Sequence, residues 1–331
     1  MKVLVTGGAG YIGSHTVRAL SARKHEPVVF DNLGRGHREA VLDAPLVEGD
    51  LLSMPDIEAA IRDHSIEAVL HFAAFTYVGE SVGHPEMYYR NNVAGTLNLL
   101  DAMWKLRVRK LVFSSTAAVY GDPEYVPIDE DHRQAPLNPY GRSKLVVEWM
   151  LRDYREARGL ESVALRYFNA AGASLDGLTG EDHDPETHLI PRILLAAKGE
   201  IPLVTILGTD YDTPDGTCIR DYVHVEDLAD AHVLALDRLE RGGAPPALNL
   251  GTGKGHSVRE VIACAERVTG RKVPVAEGAR REGDPAVLVA ASDRARRLLG
   301  WEPRHAQLES IVRSAWKWLE GGGRYRKPKE T

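Results

Sequence analysis

The chain has 331 residues, 41 basic against 47 acidic, for a net charge of −6. With 44% hydrophobic and 27% charged residues it is built like a globular protein with room for two packed domains. The mild acidity argues against a nucleic-acid surface, which needs a basic patch to neutralise phosphates.

The elements alternate from the start. Lys2–Thr6 (KVLVT) reads as an apolar strand, and this run is too short for a signal sequence or a membrane span. The expectation is a chain that is neither exported nor inserted. Tyr11–Arg23 reads as a helix, Pro27–Asp31 as a strand, Leu46–Glu48 as a short strand, and Pro55–His64 as a helix with proline in its first turn. Ala68–Phe72 is the next strand. A long helical pattern runs from Glu86 to Leu106, Lys110–Ser114 is a strand, Tyr140–Arg158 a long helix and Ser162–Arg166 a strand. Strands apolar on both faces, alternating with helices, predict an α/β, Rossmann-type doubly wound parallel sheet. Such a sheet binds ligands beyond the carboxyl ends of its strands.

After residue 170 the rhythm changes. GEDHDPETHLIP and GTDYDTPDGTCIRD read as loops. Helices are predicted at Glu226–Leu239, Arg259–Thr269, Asp293–Leu299 and Leu308–Leu319, with isolated strands at Leu203–Leu207 and Ala247–Leu250. The division expected is a dinucleotide-binding domain over 1–170, receiving a later segment near 220–250, and a smaller, irregular α/β substrate domain over 171–331. GGAPP at 242–246 reads as a loop and RYRKPKE as a frayed terminus. Cys218 and Cys264 have no CxxC spacing, so neither a zinc site nor a disulfide scaffold is suggested. Free buried thiols in a reducing, cytoplasmic setting are expected, and no residue is assigned to a metal.

GGAGYIG follows the first strand at once, with Gly7, Gly10 and Gly13 spaced GxxGxxG. Such glycines let a backbone turn tightly and approach a pyrophosphate, and the helix behind them offers free N–H groups. The alternative is a tight strand–helix turn that holds no cofactor. Asp31 ends the second strand at the place expected for a carboxylate on ribose hydroxyls, which favours NAD over NADP. Against this stand a plain turn acid in DNLGRG and, at Arg35, a cation able to take a phosphate. Asp50 and Leu51 suit an adenine site, although Asp50 is nearly as plausible as a turn acid. HFAAFT at 71–76 ends the fourth strand with small residues, and SSTAAVYG at 114–121 ends the fifth with hydroxyls.

YGRSK puts Tyr140 and Lys144 four apart, on one helix face. A phenol is a poor base at neutral pH. A nearby ammonium would favour the phenolate, and Thr116 could share the proton path. The alternative is an ordinary exposed Tyr–Lys pair.

The set GGAGYIGSH, DNL, HFAA, VGES, NNVAGT, FSSTAAVYGD, PYGRSK, LRYFNAAG, RDYVHVEDLA and RREGDP resembles the extended short-chain dehydrogenase/reductase family, and within it the UDP-sugar 4-epimerases. The match runs in order from residue 2 to about 320 and covers both regions. It implies an isomerase that interconverts UDP-glucose and UDP-galactose through a 4-keto sugar, with NAD retained through turnover. Gly7, Gly10, Tyr11, Ile12 and Gly13 would serve the pyrophosphate, Asp31, Asn32 and Leu33 the ribose, and Asp50 and Leu51 the adenine. Phe72, Ala73, Ala74, Asn91, Lys144 and Phe168 would line the cofactor. Tyr140 would be the base and Thr116 its partner, both also meeting the sugar. Asn169, Leu189, Arg220, Arg281 and Asp284 match positions that hold the uridine diphosphate, where two arginines suit a diphosphate.

The chain departs from the family pattern at Thr116 (often serine), at Thr76 (a lysine in some members) and at Thr187-His188 (a tandem asparagine). Leu288 falls near a position that tunes acceptance of N-acetylated sugars. Among rivals, sugar-nucleotide 4,6-dehydratases place acids after the strand-five hydroxyl, where this chain has Ala117 and Ala118. An epimerase or decarboxylase of UDP-glucuronate would need to hold a carboxylate at the sugar C6. A non-catalytic dinucleotide sensor would have no use for the Tyr140–Lys144 pair. A homodimer is the family expectation, built from the helices near 86–106 and 140–158. Met87, Val93, Leu97, Leu100, Met103 and Trp104 supply apolar bulk on the first, and Val146, Trp149, Met150 and Tyr154 on the second. The alternative is that these side chains face their own sheet.

Overall fold

Residues 1–243, 245–281 and 283–325 are described by the structure, a computed structural model. The first half runs β1 (Lys2–Thr6), α1 (Tyr11–Ala22), β2 (Glu26–Asp31), β3 (Leu46–Glu48), α2 (Met54–Asp63), β4 (Ala68–His71), α3 (Val78–Gly83), α4 (Pro85–Tyr88), α5 (Gly95–Lys105), β5 (Lys110–Thr116), α6 (Pro139–Arg158) and β6 (Glu161–Tyr167). Beyond it come β7 (Asn169–Ala171), α7 (Leu189–Lys198), β8 (Val204–Leu207), β9 (Ile219–His224), α8 (Val225–Arg241), β10 (Ala247–Leu250), β11 (Gly255–Ser257), α9 (Val258–Thr269), β12 (Val275–Gly278), β13 (Val287–Leu288), α10 (Asp293–Leu299) and α11 (Leu308–Glu320).

Seven strands form one parallel sheet in the order β3–β2–β1–β4–β5–β6–β10. The central strands β1 and β4 are apolar on both sides because both sides are covered. On one face Val3 and Val5 pack with Val17 and Leu20 of α1 and with Leu228, Leu236 and Leu239 of α8. On the other, Leu4, Phe30 and Leu111 pack with Ile57 of α2, Leu99 and Met103 of α5, and Val147 and Leu151 of α6. The Ala247–Leu250 strand is therefore not isolated, since it pairs with β6 as the seventh strand of the sheet. Val204–Leu207 also finds a partner, in β12. A separate core joins Ile190, Ile193 and Leu194 of α7, Val261 and Ala265 of α9, and Ile311, Val312 and Ala315 of α11.

The helix expected over 86–106 is continuous from Pro85 to Lys105, but Tyr89–Ala94 is wound as a π turn between α4 and α5. Hydrophobic spacing cannot show that change of winding. Helix α6 starts at Pro139, one residue before the expected Tyr140. Asn138 Oδ1 accepts the Gly141 N–H at 2.9 Å, Pro139 follows it, and Gly159 ends the helix in a left-handed conformation at φ 67°. Both cysteines are buried and free. The terminus is docked as far as Tyr325, whose ring packs 5.0 Å from Trp318 and whose N–H donates to Asp182 at 2.9 Å. The rest of the RYRKPKE stretch, and Ala244 in GGAPP, lie outside the described residues. No helix among those residues is long and apolar enough to cross a membrane.

Candidate active site

The strand order turns back between β1 and β4, where sheets of this type open a ligand crevice at their carboxyl ends. Gly7 leaves β1 at φ 74°, and a Cβ there would lie 2.5 Å from the Ala73 nitrogen. A Cβ on Gly13 would lie 2.2 Å from the Gly7 oxygen. Both positions therefore demand glycine. Gly10 caps α1 with no side chain of its own, so the amides of the first turn, at Tyr11, Ile12 and Gly13, have no intrahelical acceptor. This is a cradle for an anionic group.

Asp31 is buried, and burial pushes its carboxyl group up. It accepts Ala9 N–H at 3.0 Å and Leu33 N–H at 2.9 Å. The acid thus holds both the glycine loop and the turn after β2. Asn32 donates to Asp50 at 2.9 Å, beside the buried Leu51. Arg35 is already engaged: it donates to Glu80 at 2.7 and 2.8 Å and stacks over Phe75 and Tyr77. These contacts weaken the case for a 2′-phosphate there. Phe72 stacks on His232 with centroids 4.6 Å apart, and Ala73 backs the glycine loop.

Thr116 closes β5 and its Oγ1 accepts the Ala118 N–H at 3.1 Å. Tyr140 stands in the first turn of α6, on the side of the Thr116 hydroxyl. Burial raises the phenol above its ordinary pKa and Thr116 pulls it back. Lys144 is almost wholly buried. Its Nζ donates to Ser114 O at 2.8 Å and lies 4.8 Å from the centre of the Phe113 ring. Burial brings its pKa down to about 7, against the pull of Glu148. The direct lowering of Tyr140 by this ammonium, expected from the sequence, does not appear in the protein alone.

Sequence reasoning does not single out Asn92. It sits on the π turn, buried, and joins three segments: it accepts Phe75 N–H at 2.8 Å and donates to Phe75 O at 3.0 Å and to Ser143 Oγ at 3.1 Å. Ser143 in turn bonds Tyr140 O at 2.7 Å. Asn91 donates to Asn92 at 3.0 Å. The NN pair in NNVAGT is the signal that could have found it. Phe168 packs against the group that contains Ala117, Val119 and Leu145.

In the second region, Asn169 pairs in register with Tyr222, and Leu189 opens α7. Arg220 donates to Asp284 at 2.6 Å, and Leu288 is the register partner of Arg220. Arg281 is exposed, and its carbonyl accepts the Asp284 N–H at 3.3 Å. His188 does not stand alone where the family carries asparagine, for it converges with Glu181, His183 and Glu186. The spacing E-x-H-x-x-E-x-H is visible within GEDHDPETHLIP, but the glycine, proline and acids around it spell only a loop.

The family model described as "NAD dependent epimerase/dehydratase family" matches residues 3–251. A UDP-glucose 4-epimerase of Azospirillum brasilense is 55% identical over 96% of this chain and 91% of its own length. The crystal structure of UDP-glucose 4-epimerase from Brucella ovis in complex with NAD superposes with a TM-score of 0.93, at 53% identity over 95% of this chain and 97% of that one. The Bifidobacterium longum UDP-glucose 4-epimerase, crystallised with NAD+ and UDP, gives 0.93 at 39% identity over 98% and 99%.

Proposed function

The chain belongs to the NAD dependent epimerase/dehydratase family, and on that premise we propose that it interconverts UDP-glucose and UDP-galactose by inverting the sugar C4. The observation that carries this reading is the pairing of the Tyr140 and Thr116 hydroxyls beyond the carboxyl end of β5, beside a glycine cradle fit for a dinucleotide. NAD, when bound, would supply a hydride acceptor and donor for C4. Its pyrophosphate would rest on the Gly7–Gly13 turn, its ribose at Asp31 and its adenine at Asp50 and Leu51.

Tyr140 takes the proton of the 4-hydroxyl at its Oη and later gives it back. Thr116, whose hydroxyl favours the phenolate, steadies that oxygen. Lys144, fixed by Ser114 O, brings a cation that can gain or lose its proton near neutral pH to the same helix face. A proton returned to either face of a 4-keto sugar requires the sugar to turn while its nucleotide end stays anchored. Arg220, backed by Asp284, and Arg281 would supply that anchor. Ala117 and Ala118 offer no acid after Thr116, which counts against dehydration.

A homodimer is part of the same proposal. Leu100 and Met103 are core residues, but Leu97, Trp104 and Trp149 remain exposed on α5 and α6. The two free thiols support a cytoplasmic setting.

The test is conversion of UDP-galactose to UDP-glucose by purified protein with no added NAD. Tyr140→Phe should cut turnover by about 10²–10⁴-fold, the usual worth of a positioned acid–base, and leave the NAD content unchanged. No conversion by the unaltered enzyme, even with NAD supplied, would remove the 4-epimerase reading.

A further inference from the structure

Glu181, His183, Glu186 and His188 bring one donor atom each to within 4.8 Å of one another. Glu181 and His183 precede the turn at Pro185, and Glu186 and His188 lead into α7. The contacts are close on all sides. His188 Nδ1 lies 2.7 Å from Glu181 and 3.2 Å from Glu186. His183 Nδ1 lies 3.2 Å from Glu181 and 3.6 Å from Glu186. Donor atoms at about 2.0–2.2 Å from a tetrahedral cation stand roughly 3.3–3.6 Å apart. Three of the four His–Glu contacts, at 3.2, 3.2 and 3.6 Å, lie at or close to that range, and the fourth, at 2.7 Å, is a hydrogen-bond distance.

Direct hydrogen bonding accounts for His188, 2.7 Å from Glu181, but leaves His183 without a bond. His183 Nδ1 is buried and makes no hydrogen bond, although two carboxylates flank it. Both imidazoles present Nδ1 to the same pair of carboxylates, which raise the pKa of both rings, so a cation would take the place of their protons. The Glu181 side chain is 5% exposed and that of His188 44%, so the cluster has a closed side and an open one.

We propose that these four residues bind one divalent cation of the zinc class, with neutral imidazole and carboxylate ligands. The cation ties the segment between β7 and α7 to the nucleotide side of the crevice. His183 already packs edge-on against Tyr11 at the start of α1 and against Tyr77 before α3, at 6.3 and 5.9 Å. The site uses neither cysteine, and its presence is independent of which sugar is epimerised.

The experiment reads metal directly. Holoenzyme is incubated with zinc, desalted and analysed by elemental mass spectrometry, with cobalt substitution as a spectroscopic check. About one zinc per chain is expected, with visible d–d absorption from the cobalt form. His188→Gln, at the most exposed position, should retain less than a tenth of the metal while keeping its NAD. Zinc at 100-fold over its dissociation constant should raise the Tm of chelator-treated wild type by roughly 5 °C and leave the variant unmoved. Equal, trace metal in both proteins, with imidazole NMR signals of His183 and His188 unchanged by zinc, would overturn the proposal and leave the quartet as His–Glu ion pairs.

Discussion

Replacing Lys144 by methionine should make the protein more stable and nearly inactive. The ammonium is buried, and its pKa falls from 10.5 to about 7. At about 1.4 kcal/mol per unit, that fall corresponds to roughly 4–5 kcal/mol of unfavourable burial. Methionine fills a similar volume without charge but gives up the hydrogen bond to Ser114 O, worth about 2 kcal/mol for a charged donor. The variant should therefore gain about 2–3 kcal/mol at pH 6. Between about pH 7 and 10.5 the unfolded chain holds the proton and the folded chain does not. Wild-type stability from this group consequently rises with pH across that window, and the penalty stands in full below it. The advantage of the variant should shrink by roughly 1.4 kcal/mol per unit above pH 7. Urea unfolding at pH 6, 7.5 and 9, with the nucleotide removed from both proteins, measures this directly. Equal or lower stability of the variant at pH 6, or a difference that ignores pH, would refute the reasoning. Turnover should fall by about 10²-fold or more, because the helix face that carries the base loses its proton-exchanging cation.

Three further substitutions test other parts of the site. Gly13→Ala places a methyl group 2.2 Å from the Gly7 oxygen, so the purified variant should carry at least about ten-fold less NAD by acid release; full occupancy would show that the loop yields. Asn92→Ala strands both backbone groups of Phe75 and should cost about 2 kcal/mol in thermal unfolding, a loss absent if water replaces the amide. Arg220→Leu leaves Asp284 without its partner and should raise KM for UDP-galactose about ten- to a hundred-fold while NAD is retained. An unchanged KM would place the diphosphate elsewhere.

The strands and helices around the cofactor crevice are legible in the sequence because each carries a single pattern. KVLVT, PVVFD and AVLHF are apolar on both faces, glycines mark the first turn, and a long helical pattern from Tyr140 marks α6. Strand β9 escapes because IRDYVH breaks the pattern with Arg220 and Asp221. Both are buried, but each is satisfied from far along the chain, Arg220 by Asp284 and Asp221 by Thr252, Gly253 and Ala290. Distant partners of that kind leave no periodicity to read. The π turn is hidden for a related reason, since one extra residue per turn alters which side chain faces inward without altering composition. Tyr140 and Lys144 are found by spacing, and Thr116 by its place at the end of the fifth strand. That Lys144 donates to a strand carbonyl rather than sitting against the phenol is a matter of packing between β5 and α6.

Strand β10 has a consequence for how this protein is made. The sheet that would hold the dinucleotide is completed by residues 247–250, and one of its faces is covered by Leu228, Leu236 and Leu239. A ribosome that has released only the first 170 residues has delivered six of the seven strands, with one apolar face still bare of α8 and β6 an open edge. The substrate-side segments in between must emerge before that face can close. Completion of the nucleotide sheet therefore waits on the later part of the chain, so the two halves of the site are timed together in synthesis as well as joined in space.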